Sequence, residues 1–224
     1  FMKDLSKLVK KRITRKDGHI TTVWVRGEKI EPKTTKTLME GVPPELYEKI
    51  RRKGEGHGHE VTLSKKDVDV LLKKGVVGFI SAGRNPNDKH DMKLTDTEID
   101  MRDGQLKKDL NHKGYTYVRV KGKYGDEEES YMVMVNDINR KDMTNLVKKY
   151  NQDSVIYSEK GNNELIYTVG ANEGKKHVGN GFNLLDQETE DFYSEIDTGK
   201  GKVKFSLNFD FDTLVKGLLR YLMG

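Results

Sequence analysis

The chain has 224 residues, 34% of them charged and 34% hydrophobic, with a net charge of +5 and a mean hydropathy of −0.79. That length holds one large domain or one domain with a smaller unit, and that polarity implies a modest core wrapped in long loops or arms. The absence of cysteine excludes disulfides and thiolate metal sites. No apolar run reaches the roughly 18 residues that span a bilayer, and the basic start lacks the apolar stretch of a signal peptide.

Charge is concentrated at the beginning: residues 1–56 carry 15 basic and 8 acidic side chains. Lys7, Lys10, Lys11, Arg12 and Arg15 form the densest part of a basic arm that favours polyanions, nucleic acid above all. Residues 2–12 read as a short helix. Ile13–Arg15 and Ile20–Arg26 read as two strands around the turn signal Asp17-Gly18. Trp24 then acts as a packing anchor, and no aromatic interleaving accompanies the cations. A linker through residue 43 separates this arm (1–43) from an α+β domain (44–224).

That domain opens with a helix from Pro44, buried through Leu46, Tyr47 and Ile50. Ser64 caps a second helix, Lys65–Lys74, which stops at Gly75. Its core, residues 76–170, alternates strand and helix periods: strand Val76–Ala82, helix from the capping box Thr95-Asp96-Thr97-Glu98 to about His112, strands Tyr115–Lys121 and Glu129–Val135, helix Arg140–Tyr150, strand Ser154–Ser158. The order βαββαβ predicts a ferredoxin-like core, with Glu164–Val169 as an added edge strand. Gly170–Phe182 reads as a loop. Val203–Phe209 and Asp212–Met223 supply a C-terminal strand and amphipathic helix.

The same topology predicts one rim. Strand one ends at Ser81, strand three begins at Glu129-Ser130, and Gln152 precedes strand four, so Ser81, Arg84, Asn85 and Gln152 gather as a ligand-binding edge. Arg84 and the Thr95 helix N-terminus suit an anion. Glu127, Glu128 and Glu129, packed as like charges, raise one another's proton affinity and supply a general acid or base. The catalytic candidates are Glu129, Ser130 and Glu127. His57 and His59, on flexible glycines, are weak metal ligands without a third fixed partner, so no metal and no cofactor is expected.

The segments Ala82-Gly83-Arg84-Asn85-Pro86, Glu128-Glu129-Ser130 and Gln152-Asp153-Ser154-Val155 resemble an uncharacterised family of small bacterial and phage proteins over residues 76–158. Lys11-Arg12-Ile13-Thr14-Arg15-Lys16-Asp17-Gly18 through Val25 resembles a segment near the start of phage virion-associated proteins. Glu127-x-Glu129 resembles the Glu-x-Glu of ADP-ribosyltransferases, whose Ser-Thr-Ser element is missing. These resemblances imply a phage-encoded, virion-associated binding protein with an anion-binding rim, found in the virion or host cytoplasm, with other virion proteins or nucleic acid as partners and no membrane. Two alternatives stand beside it. One is an enzyme acting on a nucleotide or other anionic small molecule. The other is a non-specific nucleic-acid-binding protein.

Overall fold

A computed structural model describes residues 8–14, 20–26, 41–51, 56–124, 126–134, 140–185 and 193–208. The chain divides into two compact units, residues 1–34 and 35–224. The first contains an antiparallel hairpin of β1 (Leu8–Thr14) and β2 (Ile20–Arg26), in register from Leu8↔Arg26 to Thr14↔Ile20. Residues 8–12 are therefore strand and not the helix expected. Each pairs with a β-branched, aromatic or long side-chain partner on β2, from Arg26 opposite Leu8 to Thr22 opposite Arg12.

The second unit begins with helix α1 (Pro44–Ile50) and α2 (Lys65–Lys74). As predicted, Ser64 caps α2: its hydroxyl accepts from the Asp67 amide at 3.1 Å, and its own amide donates to the Asp67 carboxylate at 3.0 Å. Helix α3 (Asp96–His112) starts on the matching box of Thr95 and Glu98. Helix α4 spans Arg140–Lys148.

These helices cover a ten-stranded sheet. Its strands are β3 (His59–Glu60), β4 (Val76–Ser81), β5 (Thr116–Tyr124), β6 (Asp126–Met134), β7 (Ser154–Glu159), β8 (Asn162–Tyr167), β9 (Lys176–Gly179), β10 (Phe182–Leu185), β11 (Tyr193–Asp197) and β12 (Lys202–Leu207). The order is β10-β12-β11-β5-β6-β4-β7-β8-β9, antiparallel throughout, with β3 joined to β5 in parallel. Strand β4 is buried along its whole length between β6 and β7. A strand covered on both faces carries the continuous apolar run seen at Val76–Ile80.

Two expectations are corrected here, and one pairing is added. Strand β8 is not an edge, because it pairs with both β7 and β9. Residues 170–182 are not simply a loop but contain β9 and lead into β10. Strand β5 is extended on its far side by β11 and β12. The period-two signal of β9 and β10 is only four residues long in each, too short to stand out among glycines. The helix expected at Asp212–Met223 lies outside the described residues.

The sheet is curled. Strands β9 and β10, at its two ends, are consecutive in the chain. Asn163 Nδ2 on β8 donates to Gly181 O at 2.6 Å, and the Asn208 amide after β12 donates to the same oxygen at 2.9 Å. Gly181 takes a φ of +96°, a conformation glycine adopts without strain. Inside the curl, Phe79, Phe182 and Phe205 meet with ring centroids 5.5 to 5.8 Å apart. With Leu46, Ile50, Leu71, Val77, Val120 and Met132 they form the core beneath α1 and α2. On the outer face Ile80, Tyr131 and Val133 pack under Leu106 and Leu110 of α3 and Met143 and Val147 of α4.

Candidate active site

Strand parity decides which groups meet. Ser81 pairs with Ser130, so Gly83 comes opposite Glu128 just beyond the ladder. Even-numbered residues of β6 share a face with Met132 and Met134 of the inner core, and odd-numbered ones with Tyr131 and Val133 of the outer core. Glu128 therefore lies on the inner side, and Glu127 and Glu129 on the outer side. The three carboxylates do not form the like-charge cluster expected. Glu129 pairs with Arg119 and Glu127 with Lys121, each at 2.6 Å and on exposed surface. Lys121 holds Glu127 below the usual carboxylate range.

Glu128 behaves differently. The buried Ser81 donates its hydroxyl hydrogen to Glu128 Oε1. Burial raises the proton affinity of the carboxyl, and the Ser81 hydrogen bond only partly opposes this. The residue as a whole is solvent-exposed. The carboxylate is bounded by Ser81 and Gly83 and stays open to solvent on its free side, an exposed recess. Among the described residues it has no ion-pair partner within 4 Å.

The backbone around the recess is built for this carboxylate. A Cβ on Gly83 would run into the Glu128 carboxylate, so any larger residue there must push that carboxylate aside. The Gly83 amide approaches Ser81 Oγ at 3.4 Å. Gln152 closes the third side, its Oε1 accepting the Ser81 amide at 2.9 Å. Ser81, Gly83, Glu128 and Gln152 thus converge from β4, β6 and the turn before β7.

A polar clamp holds that turn. The turn after helix α4 ends at Asn151, whose φ of +53° is tolerated by an asparagine, and the chain reverses there to deliver Gln152. Asn85 is buried, with its polar groups directed to the turn and the loop. Its Nδ2 donates to Asn151 O at 2.8 Å, and its amide donates to Asp91 at 2.7 Å. Asp91 pairs with Arg102 of α3 at 2.9 Å, and Arg102 also donates to Tyr150 O. Asn87 reaches Asp153 at 3.0 Å, and Asn151 reaches Asp88 at 3.1 Å. The loop 83–94 is thereby fastened to the turn 150–153.

Arg84 is engaged in the same clamp. Its guanidinium donates to Leu94 O at 2.7 and 3.0 Å and pairs with Asp96 at 2.7 Å. The Ser130 hydroxyl donates to Val120 O at 3.3 Å. His57 is exposed, His59 sits at the start of β3, and among the described residues no group of three or more His, Asp or Glu could hold a metal ion. Lys10, Lys11 and Arg12 lie on β1, in the other compact unit. Lys7 and Arg15 fall outside the described residues. Among the described residues no helix is long and apolar enough to cross a membrane.

Sequence reasoning reached Ser81 and Gln152 but not the choice of Glu128 over its neighbours. Strand three is apolar on both faces from Tyr131 onward, so the pattern could not show which of three consecutive glutamates turns inward. Asp91 and Arg102 gave no signal, because a loop aspartate and a helix arginine look solvated until they meet.

These elements coincide with a known family. The S-adenosylmethionine lyase family matches residues 78–203, from within β4 to the start of β12 and so across every residue of the recess. That is more than half of the chain, and the chain belongs to this family. No curated protein matches it.

Proposed function

We propose that this protein is an enzyme that cleaves a carbon–sulfur bond of S-adenosylmethionine in the recess around Glu128. The observation that carries this reading is the family match, which spans all the strands that build the recess. The charge of the site supports it. S-Adenosylmethionine carries a sulfonium and an ammonium against one carboxylate, so a cationic centre must be received. Among the described residues the Glu128 carboxylate has no ion-pair partner within 4 Å, whereas Arg84 is engaged by Leu94 and Asp96. The family match fits the expected alternative of an enzyme acting on a small molecule, and we assign the cationic centre of that molecule to Glu128.

In the reaction the electron pair of the broken C–S bond leaves with sulfur, and the sulfonium becomes a neutral thioether. The carbon is satisfied from within the substrate, by loss of a neighbouring proton or by bonding to the substrate's own carboxylate oxygen. Glu128 holds the cationic substrate, and Ser81 and Gln152 position Glu128. Incubation of the purified chain with S-adenosylmethionine in 18O-labelled water tests this. A thioether and an unlabelled co-product are expected. Label on the carbon released from sulfur would make the enzyme a hydrolase, and unchanged substrate would remove the activity altogether.

We read the four strands β5-β6-β4-β7 with α3 and α4 as a ferredoxin-like core, on the support of their order and antiparallel pairing. The phage and virion association rests on the sequence resemblances and is a separate proposal. Detection of the protein in purified particles by mass spectrometry tests it, and its absence there would reject it.

A further inference from the structure

Charge is segregated between the two compact units. Residues 1–34 hold 10 of the 41 Lys and Arg and 4 of the 36 Asp and Glu. They carry a net +6, leaving −1 for the other 190 residues. A basic unit of this density is drawn to a polyanion by counterion release. The hairpin register adds what the linear sequence hid. One face carries Leu8, Lys10, Arg12 and Thr14 opposite Arg26, Trp24, Thr22 and Ile20, and the other carries Val9, Lys11 and Ile13 opposite Val25, Val23 and Thr21. Trp24 thus shares its face with Lys10, directly across from it, with Arg12 on the diagonal and with Arg26 two positions along its own strand.

We propose that this hairpin face binds single-stranded nucleic acid, with Lys10, Arg12 and Arg26 on phosphates and Trp24 under a base. Lys10 and Arg12, two positions apart, repeat at about 6.7 Å along the strand, a spacing suited to successive phosphates of an extended nucleic-acid strand. An aromatic ring among cations is the pairing by which proteins hold unpaired bases without reading their sequence. A membrane surface fits less well, because the Trp lies with the cations and Val9, Ile13, Val23 and Val25 occupy the other face.

Trp24 is the one tryptophan of the chain, so intrinsic tryptophan emission reports on it alone. Full-length protein is titrated with a 20-nucleotide oligo(dT) at several salt concentrations. Emission should be quenched on binding. The triple variant K10Q/R12Q/R26Q should bind at least tenfold more weakly in low salt, with a log–log salt slope smaller by about 2. An unchanged unbound emission maximum in the variant shows that the hairpin is intact. Emission indifferent to the oligonucleotide, a variant that binds like wild type, or a response to anionic vesicles in place of oligo(dT) would each overturn the proposal.

Discussion

A carboxylate enclosed by protein but open to water on one side keeps its proton to higher pH than one on a free surface, because the charged form loses hydration. Glu128 is in that position. A raised proton affinity in the folded state stabilises the fold only below the unfolded carboxyl value, about 4.3, and that benefit is lost as pH rises. Glu128→Gln cannot ionise. Thermal melts should therefore show the variant more stable than wild type at pH 7, with the difference gone below about pH 4. Turnover should fall by about 10²-fold or more. Gly83→Ala tests the same recess from the other side. Its methyl group would displace the Glu128 carboxylate, so activity should drop severely while circular dichroism stays native. Gly83 was legible only as a loop glycine, since its meaning depends on a carboxylate 45 positions further along the chain.

Tyr131 of β6 is fully buried, and its hydroxyl donates to both Asp103 oxygens at 2.7 Å, tying the sheet to α3. Burial, with the Asp103 charge second, pushes its ionisation well above the ordinary tyrosine value. The folded tyrosine therefore keeps its proton well above pH 10, and the stability of the tie is full at neutral pH and declines as pH rises past about 10, the unfolded value. Tyr131→Phe strips Asp103 of its donor and should cost about 1–3 kcal/mol. Calorimetry should register this as a fall in Tm of several degrees, and an unchanged Tm would remove the tie from the fold's supports. Helices α2 and α3 were legible almost to the residue, because Ser64 and Thr95 with their partners three positions on mark helix starts by local chemistry alone. The hairpin was harder: Leu5, Leu8 and Val9 mimic a helical stripe, and only pairing with Val25 and Arg26 draws residues 8 and 9 into a strand. The short strands β9 and β10 owe their place to closure of the curl around Phe182, a long-range contact that no local window contains.

At the scale of the molecule, the proposed recess lies wholly in the unit of residues 35–224, and the proposed nucleic-acid contact lies wholly in that of residues 1–34. Deletion of residues 1–34 should leave S-adenosylmethionine turnover within about twofold of wild type, below the tenfold that 1.4 kcal/mol of lost transition-state binding would produce. Steady-state kinetics check this, and a collapse of kcat would mean that the arm contributes to the site. The sequence resemblances pointed to a binding protein first and an enzyme second. The family match reverses that order, because it covers β4 to β12 and not the arm.

The most direct measurement is a side-by-side assay of S-adenosylmethionine cleavage by wild type, Glu127→Gln, Glu128→Gln and Glu129→Gln. Loss confined to Glu128→Gln, with both neighbours near wild-type rates, is the predicted result. Full activity in Glu128→Gln, or equal losses in all three, would contradict a reaction centred on the inward-facing carboxylate.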